Sequence, residues 1–548
     1  MPEVAQAERA AQLAATVLRG IDDVFPLVEG LYVDLHRNPE LSHAEHRTAG
    51  AVAEWLARSG YEVHQRIGGT GVVGVLRNGP GPSVLVRADM DALPVEENTG
   101  LPYASAARGV DDNGAEVPVM HACGHDAHVA SMLGAADLLA EAREHWRGTL
   151  VVVAQPAEET LDGAQAMLRD GLYDRVGRPD IVLGQHVGPQ PAGMIAHRAG
   201  VILGASSVLR VRIFGSGGHG SAPHTTVDPV VLAANIVTRL QGIVAREVSP
   251  TEMAVVTVGV LQAGSRPNII PDEANLEISV RAFDTTVAAQ VDAAIERVIR
   301  GEARTAGAPR EPEIRRDEGT VTTHNEPDAT VGVATAHRAY FGTAHVLDLP
   351  DPLTGSEDFP QLALPDDPEP IPAVFWFIGA TPHDVWEQAP GDTPAEKLRH
   401  VPSNHSPLFA PDREPTLRTG IAALTVAATT YLDPASGEST ASQASARASA
   451  AEPVQPATPP GGQPVVPDPA STQAADMNAL LDDGTDGTDG TGDAYAPEVP
   501  ADEPGENGAA PVAPTQPPTG PSTPLPPPEG APVAAPPPDS GEDPPYQL

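Results

Sequence analysis

Apolar residues in the first part of the chain follow two spacings, one typical of helices and one typical of buried strands. Intervals of three and four residues predict amphipathic helices. They cover residues 3–36, 45–58 and 125–143. Short uninterrupted apolar runs predict strands that are covered on both faces. They occupy residues 72–76, 83–88, 149–154 and 181–183. Strands that alternate with helices predict an α/β sheet.

The spacing then changes to a strict alternation of apolar and polar residues, which predicts half-exposed strands. It covers residues 206–214, 254–263 and 274–283. Two helices, at 228–247 and 286–302, and a last strand at 311–315 complete a small α+β unit of the ferredoxin-like type. The α/β pattern returns with a strand at 373–378 and a helix at 417–431. We therefore expect the α+β unit to be an insertion.

Composition separates a C-terminal tail from the rest of the chain. Residues 433–548 are rich in Pro, Ala and Gly and contain no Ile, Phe or Trp. Such a segment cannot bury enough apolar surface to offset its ordering entropy, so we expect it to be disordered. The expected organisation is a catalytic domain in two parts, an inserted domain between them, and this tail. The catalytic domain covers residues 1–203 and 317–432, and the inserted domain covers residues 204–316.

Charge and the lack of targeting signals narrow the range of partners. The formal net charge is −41, and Arg447 is the one basic residue of the acidic tail. Binding to nucleic acid needs clustered Lys and Arg, so nucleic acid is not expected as a partner, and neither is a membrane surface. No apolar run reaches the roughly 18 residues of a membrane span, and the N-terminus has no signal-peptide pattern. With a single cysteine and hence no internal disulfide, the chain is predicted to be a soluble cytoplasmic protein.

That cysteine, Cys123, stands in the densest cluster of metal-binding residue types. Residues 121–128, HACGHDAH, hold it together with three histidines. Further residues of these types follow predicted strands or lie in a later loop: Asp89, Asp91, Glu158, Glu159, His186 and His405. Each of them alone has an ordinary explanation, such as packing, a solvated helix start or a loop. Because the ends of parallel strands meet at one edge of a sheet, the whole set predicts a metal centre.

Five of these side chains suffice for two divalent ions that lie about 3.5–4 Å apart and share a bridging ligand. They are Cys123, His125, Glu159, His186 and His405. Glu158 then remains free to take the proton of the attacking water as a general base. A structural zinc site normally closes with four ligands. Five ligands and a spare carboxylate therefore favour a catalytic centre over a scaffold that a metal stabilises.

Nine segments carry a resemblance to a known family. They are LHRNPELSHAEHRTA (35–49), RADMDALPV (87–95), MHACGHDAH (120–128), QPAEE (155–159), GQHVGP (184–189), GGHGSAPHTTVDPV (217–230), RPNIIPDEA (266–274), GSEDFP (355–360) and SNHSPLF (403–409). In these segments the chain resembles the dinuclear-metal N-acyl-amino-acid amidohydrolases, which include hippurate hydrolase and the plant auxin-conjugate hydrolases. Aminoacylases and carboxypeptidases are more distant relatives. The resemblance implies a metallopeptidase-like catalytic domain, an inserted lid or dimerisation domain, and two ions of Mn, Zn, Co or Ni in each subunit of a homodimer.

The resemblance also implies roles for individual residues. The five ligands and the base are those given above, and Asp91 would orient a ligand, although a plain turn before a proline is the alternative. His219 would stabilise the oxyanion in the active site of a partner subunit. Asn268 and Arg281 would contact the carbonyl or carboxylate of the substrate, with a surface arginine as the equal alternative for Arg281. Three residues are expected to pack or to support others: Asp89, His128 and His224.

The sequence thus predicts a metal-dependent amidohydrolase that splits an N-acyl amino acid, a small molecule, into a carboxylic acid and a free amino acid. A dipeptidase or carboxypeptidase of the same superfamily is the first alternative. A non-enzymatic scaffold whose acidic tail recruits partners is the second.

Overall fold

A computed structural model of the protein describes residues 2–434, with Asp112 and Glu318 left out. The tail that was predicted to be disordered lies outside the described residues from position 435 onward. The first residue of this tail, Asp433, follows the last helix. It forms an ion pair with Arg9, and the distance between its Oδ2 and Nε of Arg9 is 3.5 Å. Within the described residues, no helix combines the length and the apolar composition that crossing a membrane requires.

The predicted helices and strands occur in the predicted order, and further, mostly short elements lie between them. The helices of the described residues are α1 (Pro2–Val17), α2 (Ile21–Arg37), α3 (His46–Arg58), α4 (His125–Glu141), α5 (Gly163–Arg169), α6 (Leu172–Val176), α7 (Pro229–Glu247), α8 (Thr285–Thr305), α9 (Pro327–Phe341), α10 (His383–Gln388), α11 (Pro394–Lys397) and α12 (Arg413–Leu432). The strands are β1 (Glu62–Ile67), β2 (Gly71–Asn78), β3 (Ser83–Asp89), β4 (Arg108–Val110), β5 (Glu116–Pro118), β6 (Gly148–Gln155), β7 (Ile181–Pro191), β8 (Ile195–His197), β9 (Gly200–Leu203), β10 (Ala205–Phe214), β11 (Gly218–His219), β12 (Ala254–Ala263), β13 (Ile269–Ile270), β14 (Glu273–Ala282), β15 (Glu313–Arg316), β16 (Thr323–Asn325), β17 (Val346–Asp348) and β18 (Ala373–Thr381).

An eight-stranded sheet in the order β1-β2-β6-β3-β7-β18-β8-β17 forms the centre of the α/β part. Its four middle strands, β6, β3, β7 and β18, run parallel. Successive side chains of a strand point to opposite faces. Val84 and Val86 of β3 accordingly belong to the core that includes residues of α1, α2, α4 and α12, whereas Leu85 belongs to the core that includes residues of α5, α6 and the turn Phe359–Ala363. Both faces are covered, which confirms the predicted α/β sheet.

A second sheet has the order β12-β14-β10-β15, and all its pairs are antiparallel. Helices α7 and α8 cover one of its faces, and Leu209, Ile278 and Leu240 are among the residues of a core that belongs to this unit alone. The opposite face carries the polar half of each alternating strand. The first turn of α8 is capped by Asp284, whose carboxylate accepts from the N–H groups of residues 286 and 287. This unit is the predicted α+β insertion.

Several details differ from the sequence-based expectation, and three of them have a clear reason. Strand β1 was not predicted, because it lies at the sheet edge with Ile67 as its one buried residue and so lacks an apolar run. The predicted helix over 3–36 is divided by a 3₁₀ turn at Leu18–Gly20. His224 was expected to pack or to support another residue. It is exposed on the 3₁₀ turn Pro223–Thr225, so the prediction that it packs in the interior is wrong.

Candidate metal centre

The carboxyl ends of three parallel strands supply much of the site. In the register of the sheet, Asp89 of β3 lies beside Gln155 of β6, and Arg87 lies beside Gly184 of β7. The residues that follow these positions therefore meet at one edge of the sheet. Glu158 and Glu159 lie three and four residues after the end of β6, and His186 is part of β7.

The turn into α4 places the thiol and the first imidazole. Gly124 has a left-handed φ of 83°, and a Cβ at this position would collide with Val187. Only glycine adopts such a turn readily. It directs Cys123 and His125, the first residue of α4, to the same side, and Sγ of Cys123 lies 3.5 Å from Nε2 of His186.

Hydrogen bonds fix which ring nitrogen of each histidine faces the centre. Nδ1 of His186 lies 2.7 Å from the carbonyl oxygen of Val187, and Nδ1 of His125 lies 3.2 Å from Oδ1 of Asp91. A carbonyl and a carboxylate can only accept, so both Nδ1 atoms carry the proton. In the neutral form of each ring, Nε2 is then the nitrogen without a proton, and it can bind a metal ion. This is the arrangement that metal-binding histidines usually have.

The two adjacent glutamates complete the cluster. Nε2 of His125 lies 3.9 Å from Oε2 of Glu158 and 3.8 Å from Oε1 of Glu159. Nε2 of His405 lies 3.5 Å from Oε2 of Glu159. His405 has a left-handed φ of 68°, and its N–H donates to the carbonyl oxygen of Ala122 over 2.8 Å. The structure thus brings all five predicted ligands and the predicted base together.

Two sets of these side chains have ligand atoms within 4.8 Å of one another: Cys123 with Glu159 and His405, and His125 with Glu158 and Glu159. Nε2 of His125 and Oε1 of Glu159 are buried and have no hydrogen-bond partner among the described residues. Unpaired buried polar atoms are costly unless a partner is bound. The donor set of thiolate, imidazole and carboxylate therefore fits divalent metal ions.

His128 lies in the same cluster, but both of its ring nitrogens are used. Nδ1 lies 2.5 Å from Oδ1 of Asp89, and Nε2 accepts the N–H of Val187 over 2.8 Å. Asp89 also accepts from Nη1 of Arg87 over 2.8 Å. His128 therefore holds the strand next to His186, and it has no free nitrogen for a metal ion.

Asp91 contacts three elements of the site at once. It accepts from Nδ1 of His125, from Oγ of Ser42 over 2.7 Å and from the N–H of Glu159 over 2.9 Å. A carboxylate with these partners orients both an imidazole and the backbone of a neighbouring ligand.

Sequence reasoning gave no role to a buried network beneath Glu158. Arg87 is fully buried and donates from Nη2 to Oε1 of Glu357 over 2.7 Å and from Nε to Oε1 of Gln155 over 2.9 Å. Nε2 of Gln155 donates to Oδ1 of Asp358 over 2.6 Å. The motif GSEDFP at 355–360 was the available signal, but nothing in the sequence pairs it with Arg87. Asn404, which donates to the carbonyl oxygens of Cys123 and Val187, was missed in the same way.

The electrostatic environment suits a proton acceptor. Burial, followed by the charges of Glu357 and Glu159, raises the pKa of Glu158 well above its ordinary value. Burial raises the pKa of Glu159 to about 7, although the neighbouring His125 acts in the opposite direction. A carboxylate with a raised pKa takes up a proton more readily, and this direction favours Glu158 as a proton acceptor.

The three predicted residues of the inserted domain fall into two places. Arg281 donates to the carbonyl oxygen of Thr354 over 3.0 Å and to Oγ of Ser356 over 2.9 Å, next to the segment that carries Glu357. Its charge, after burial and His125, lowers the pKa of His405. His219 and Asn268 instead lie side by side in the paired strands β11 and β13 and the turn before β13. Among the described residues, no hydrogen bond or ion pair joins His219 or Asn268 to the metal cluster.

Comparisons with known proteins agree with this geometry. Residues 85–398 match the family model described as peptidase family M20/M25/M40. The chain is 34% identical over 385 residues to thermostable carboxypeptidase 2 of Saccharolobus solfataricus, which covers 69% of this chain and 89% of that protein. It is 39% identical over 327 residues to hippurate hydrolase of Campylobacter jejuni, with 59% of this chain and 82% of that protein covered. A solved structure of a dinuclear metal binding peptidase from Bacillus subtilis covers 75% of this chain and 99% of its own, with 27% identity and a TM-score of 0.57.

Proposed function

Because this chain belongs to peptidase family M20/M25/M40, we propose that it hydrolyses the amide bond of N-acyl amino acids and releases a carboxylic acid and a free amino acid. The observation that carries the proposal is the pair Glu158–Glu159. One of these glutamates lies within reach of Cys123 and His405 for metal binding, and the other is buried beside it with a raised pKa. The similarity to hippurate hydrolase supports the substrate class.

Two divalent ions, of Mn, Zn, Co or Ni, would be held by Cys123, His125, Glu159, His186 and His405. When bound, such a pair supplies Lewis acidity to the substrate carbonyl and lowers the pKa of a water molecule. Asp91 keeps His125 and Glu159 oriented for this task through its hydrogen bonds to both.

Glu158 moves the proton. Its carboxylate takes a proton from the attacking water, and the oxygen of that water forms the new bond to the amide carbon. The same proton then passes to the leaving nitrogen as the C–N bond breaks. The products are a carboxylic acid and an amine, and Glu158 returns to its starting state.

The inserted domain, residues 204–316, would bind the amino-acid end of the substrate and mediate dimerisation. Arg281 and Asn268 would contact the substrate, and His219 would reach the active site of a partner subunit. Val231, Leu261 and Ile269, large apolar residues of this domain, are 56%, 46% and 55% exposed. An interface between two subunits would remove these apolar side chains from water.

A carboxypeptidase is the second candidate, and the similarity to thermostable carboxypeptidase 2 favours it. Its substrate also has an amide nitrogen that belongs to an amino acid with a free carboxylate, so the same site would act on it. A purely structural role for the metals is not supported, because the family consists of hydrolases. The single cysteine, typical of a reducing compartment, supports a cytoplasmic enzyme.

Release of amino acids from N-acetyl and N-benzoyl amino acids, and from dipeptides and longer peptides, tests the proposal with manganese or zinc added. We expect turnover of the acyl amino acids and a loss of at least about a hundredfold in Glu158→Gln, since general-base catalysis contributes about 10²–10⁴-fold. Metal content should stay unchanged in this variant. Turnover of peptides alone would select the carboxypeptidase reaction, and full activity of the metal-loaded variant would refute the role of Glu158.

A further inference from the structure

The turn that carries Glu158 and Glu159 has a strained backbone. Ala157 and Leu161, on either side of the pair, have left-handed φ values of 53° and 61°. Residues other than glycine adopt this conformation at a cost in free energy, and they keep it only where their surroundings impose it. Something must therefore hold this turn.

Glu45 holds it on one side. Its Oε1 accepts the N–H of Ala157 over 2.8 Å and the N–H of His43 over 2.9 Å, and its Oε2 accepts the hydroxyl of Thr70 over 2.5 Å. The side chain is completely buried. Burying a carboxylate is costly unless it is well hydrogen-bonded, so this position is specialised for holding these three donors.

Asp91 holds the other side, because it accepts the N–H of Glu159 over 2.9 Å. Backbone N–H groups on both sides of Glu158 are thus bound by two buried carboxylates that come from different segments of the chain. The path of the backbone through Glu158 is determined by both.

We propose that Glu45 is a positioning residue for amide hydrolysis, which fixes the backbone at Ala157 so that Glu158 and Glu159 keep their places. This inference rests on the proposed function. Glu45 itself touches neither the ligand atoms nor the reacting atoms. Its contribution is geometric, and errors of about 1 Å in the placement of catalytic groups can cost about a hundredfold in rate.

Glu40 provides a matched control from the same motif. It accepts from the N–H groups of Arg47 and Thr48 over 2.9 and 2.8 Å and from the hydroxyl of Thr48 over 3.0 Å. Like Glu45, it therefore binds two backbone N–H groups and a threonine hydroxyl. All its donors lie in the first turn of α3, and none of them lies in the turn at Ala157.

The test compares Glu45→Ala, Glu45→Asp, Glu45→Gln and Glu40→Ala in the full-length protein. Glutamine keeps an oxygen for the N–H of Ala157 and can donate to Thr70, whereas aspartate keeps the charge but is one methylene too short. We expect Glu45→Ala and Glu45→Asp to lower kcat by about 10–100-fold with KM changed by less than about threefold. Glu45→Gln should retain most of kcat, and Glu40→Ala should lower Tm alone.

Two readouts do not depend on turnover. Hydrogen–deuterium exchange of a peptide covering residues 156–163 should be faster in Glu45→Ala and Glu45→Asp but not in Glu45→Gln or Glu40→Ala. Titration of the metal-free proteins with zinc should give weaker binding in the same two variants, because Glu159 moves with the turn.

The outcomes separate the two proposals. If the unmodified protein turns over none of the substrates, the proposed function fails, while exchange and zinc binding still decide whether Glu45 holds the turn. Unchanged kcat, exchange and zinc binding in Glu45→Asp would overturn the inference. So would a loss in Glu45→Gln as large as in Glu45→Asp, because an oxygen kept within reach of the N–H of Ala157 would then not preserve the rate. Both of these variants are conservative, so a failure of Glu45→Ala to fold leaves the test intact.

Discussion

His36 should make the stability of the protein depend on pH in a defined window. Its ring lies between two carboxylates, with Nδ1 2.7 Å from Oδ2 of Asp126 and Nε2 3.2 Å from Oε1 of Glu97. All three side chains are at most 1% exposed. Burial lowers the pKa of His36, but the hydrogen bonds to Asp126 and Glu97 outweigh burial and raise it from 6.5 to about 9.

The sign of the effect follows from the direction of this shift. A group whose pKa is higher in the folded state contributes stability that is fully present below its unfolded pKa and is lost as pH rises through its folded pKa. For His36 the window runs from 6.5 to about 9. Each pKa unit corresponds to about 1.4 kcal/mol, so the contribution lost across the window is about 3 kcal/mol.

Urea unfolding of the metal-free protein and of His36→Gln, followed by tryptophan fluorescence between about pH 6 and pH 10, measures this contribution. The difference in the free energy of unfolding between the two proteins should shrink by about 3 kcal/mol over this range. His43→Gln is the control, because His43 pairs with Asp162 at 3.0 Å but is 49% exposed, and exposed pairs contribute about 0–1 kcal/mol. A difference that stays constant with pH would refute a charged His36 in the folded protein.

Three further predictions concern other parts of the molecule. Replacing Arg87 by Met leaves buried carboxylates without their cation, and urea unfolding should show a loss of about 3–5 kcal/mol; a loss below about 1 kcal/mol would contradict the buried network. His128→Asn removes the support of Asp89 and of the strand beside His186, and zinc titration should show affinity weakened by about 10–100-fold, whereas unchanged affinity would contradict this supporting role. A chain that ends at residue 434 should keep the Tm and the rate of hydrolysis, and loss of activity in the folded truncated protein would show that the tail belongs to the catalytic unit.

Much of the fold could be predicted from local spacing. Buried strands such as β3 and β6 are apolar along their length, so their positions and the polar groups at their ends were evident from sequence. Edge strand β1 carries no such signal, because one of its faces contacts solvent. The spacing of apolar residues indicates which residues are buried, so it gives no signal for an element in which few residues are buried.

The site could be predicted only as far as its residue types are unusual. Cys123 and the adjacent glutamates stand out by chemistry, whereas Arg87 and Glu357 are ordinary residues that become partners across 270 positions of sequence. Glu45 lies in a quoted motif, but its bond to Ala157 spans 112 positions, so its partner could not be inferred. Such pairs are created by the fold and leave no local pattern.

The order in which the proposed ligands occur along the chain has a consequence for biosynthesis. Cys123 and His186 precede the inserted α+β unit, whereas His405 follows it. When the ribosome has made the first strands of the sheet, several carboxylates of the proposed centre are already part of the chain. The last histidine has not yet been synthesised, so the centre is incomplete. The proposed site is complete only after the loop before α12 emerges, so full loading with metal would be a late event in the synthesis of the chain.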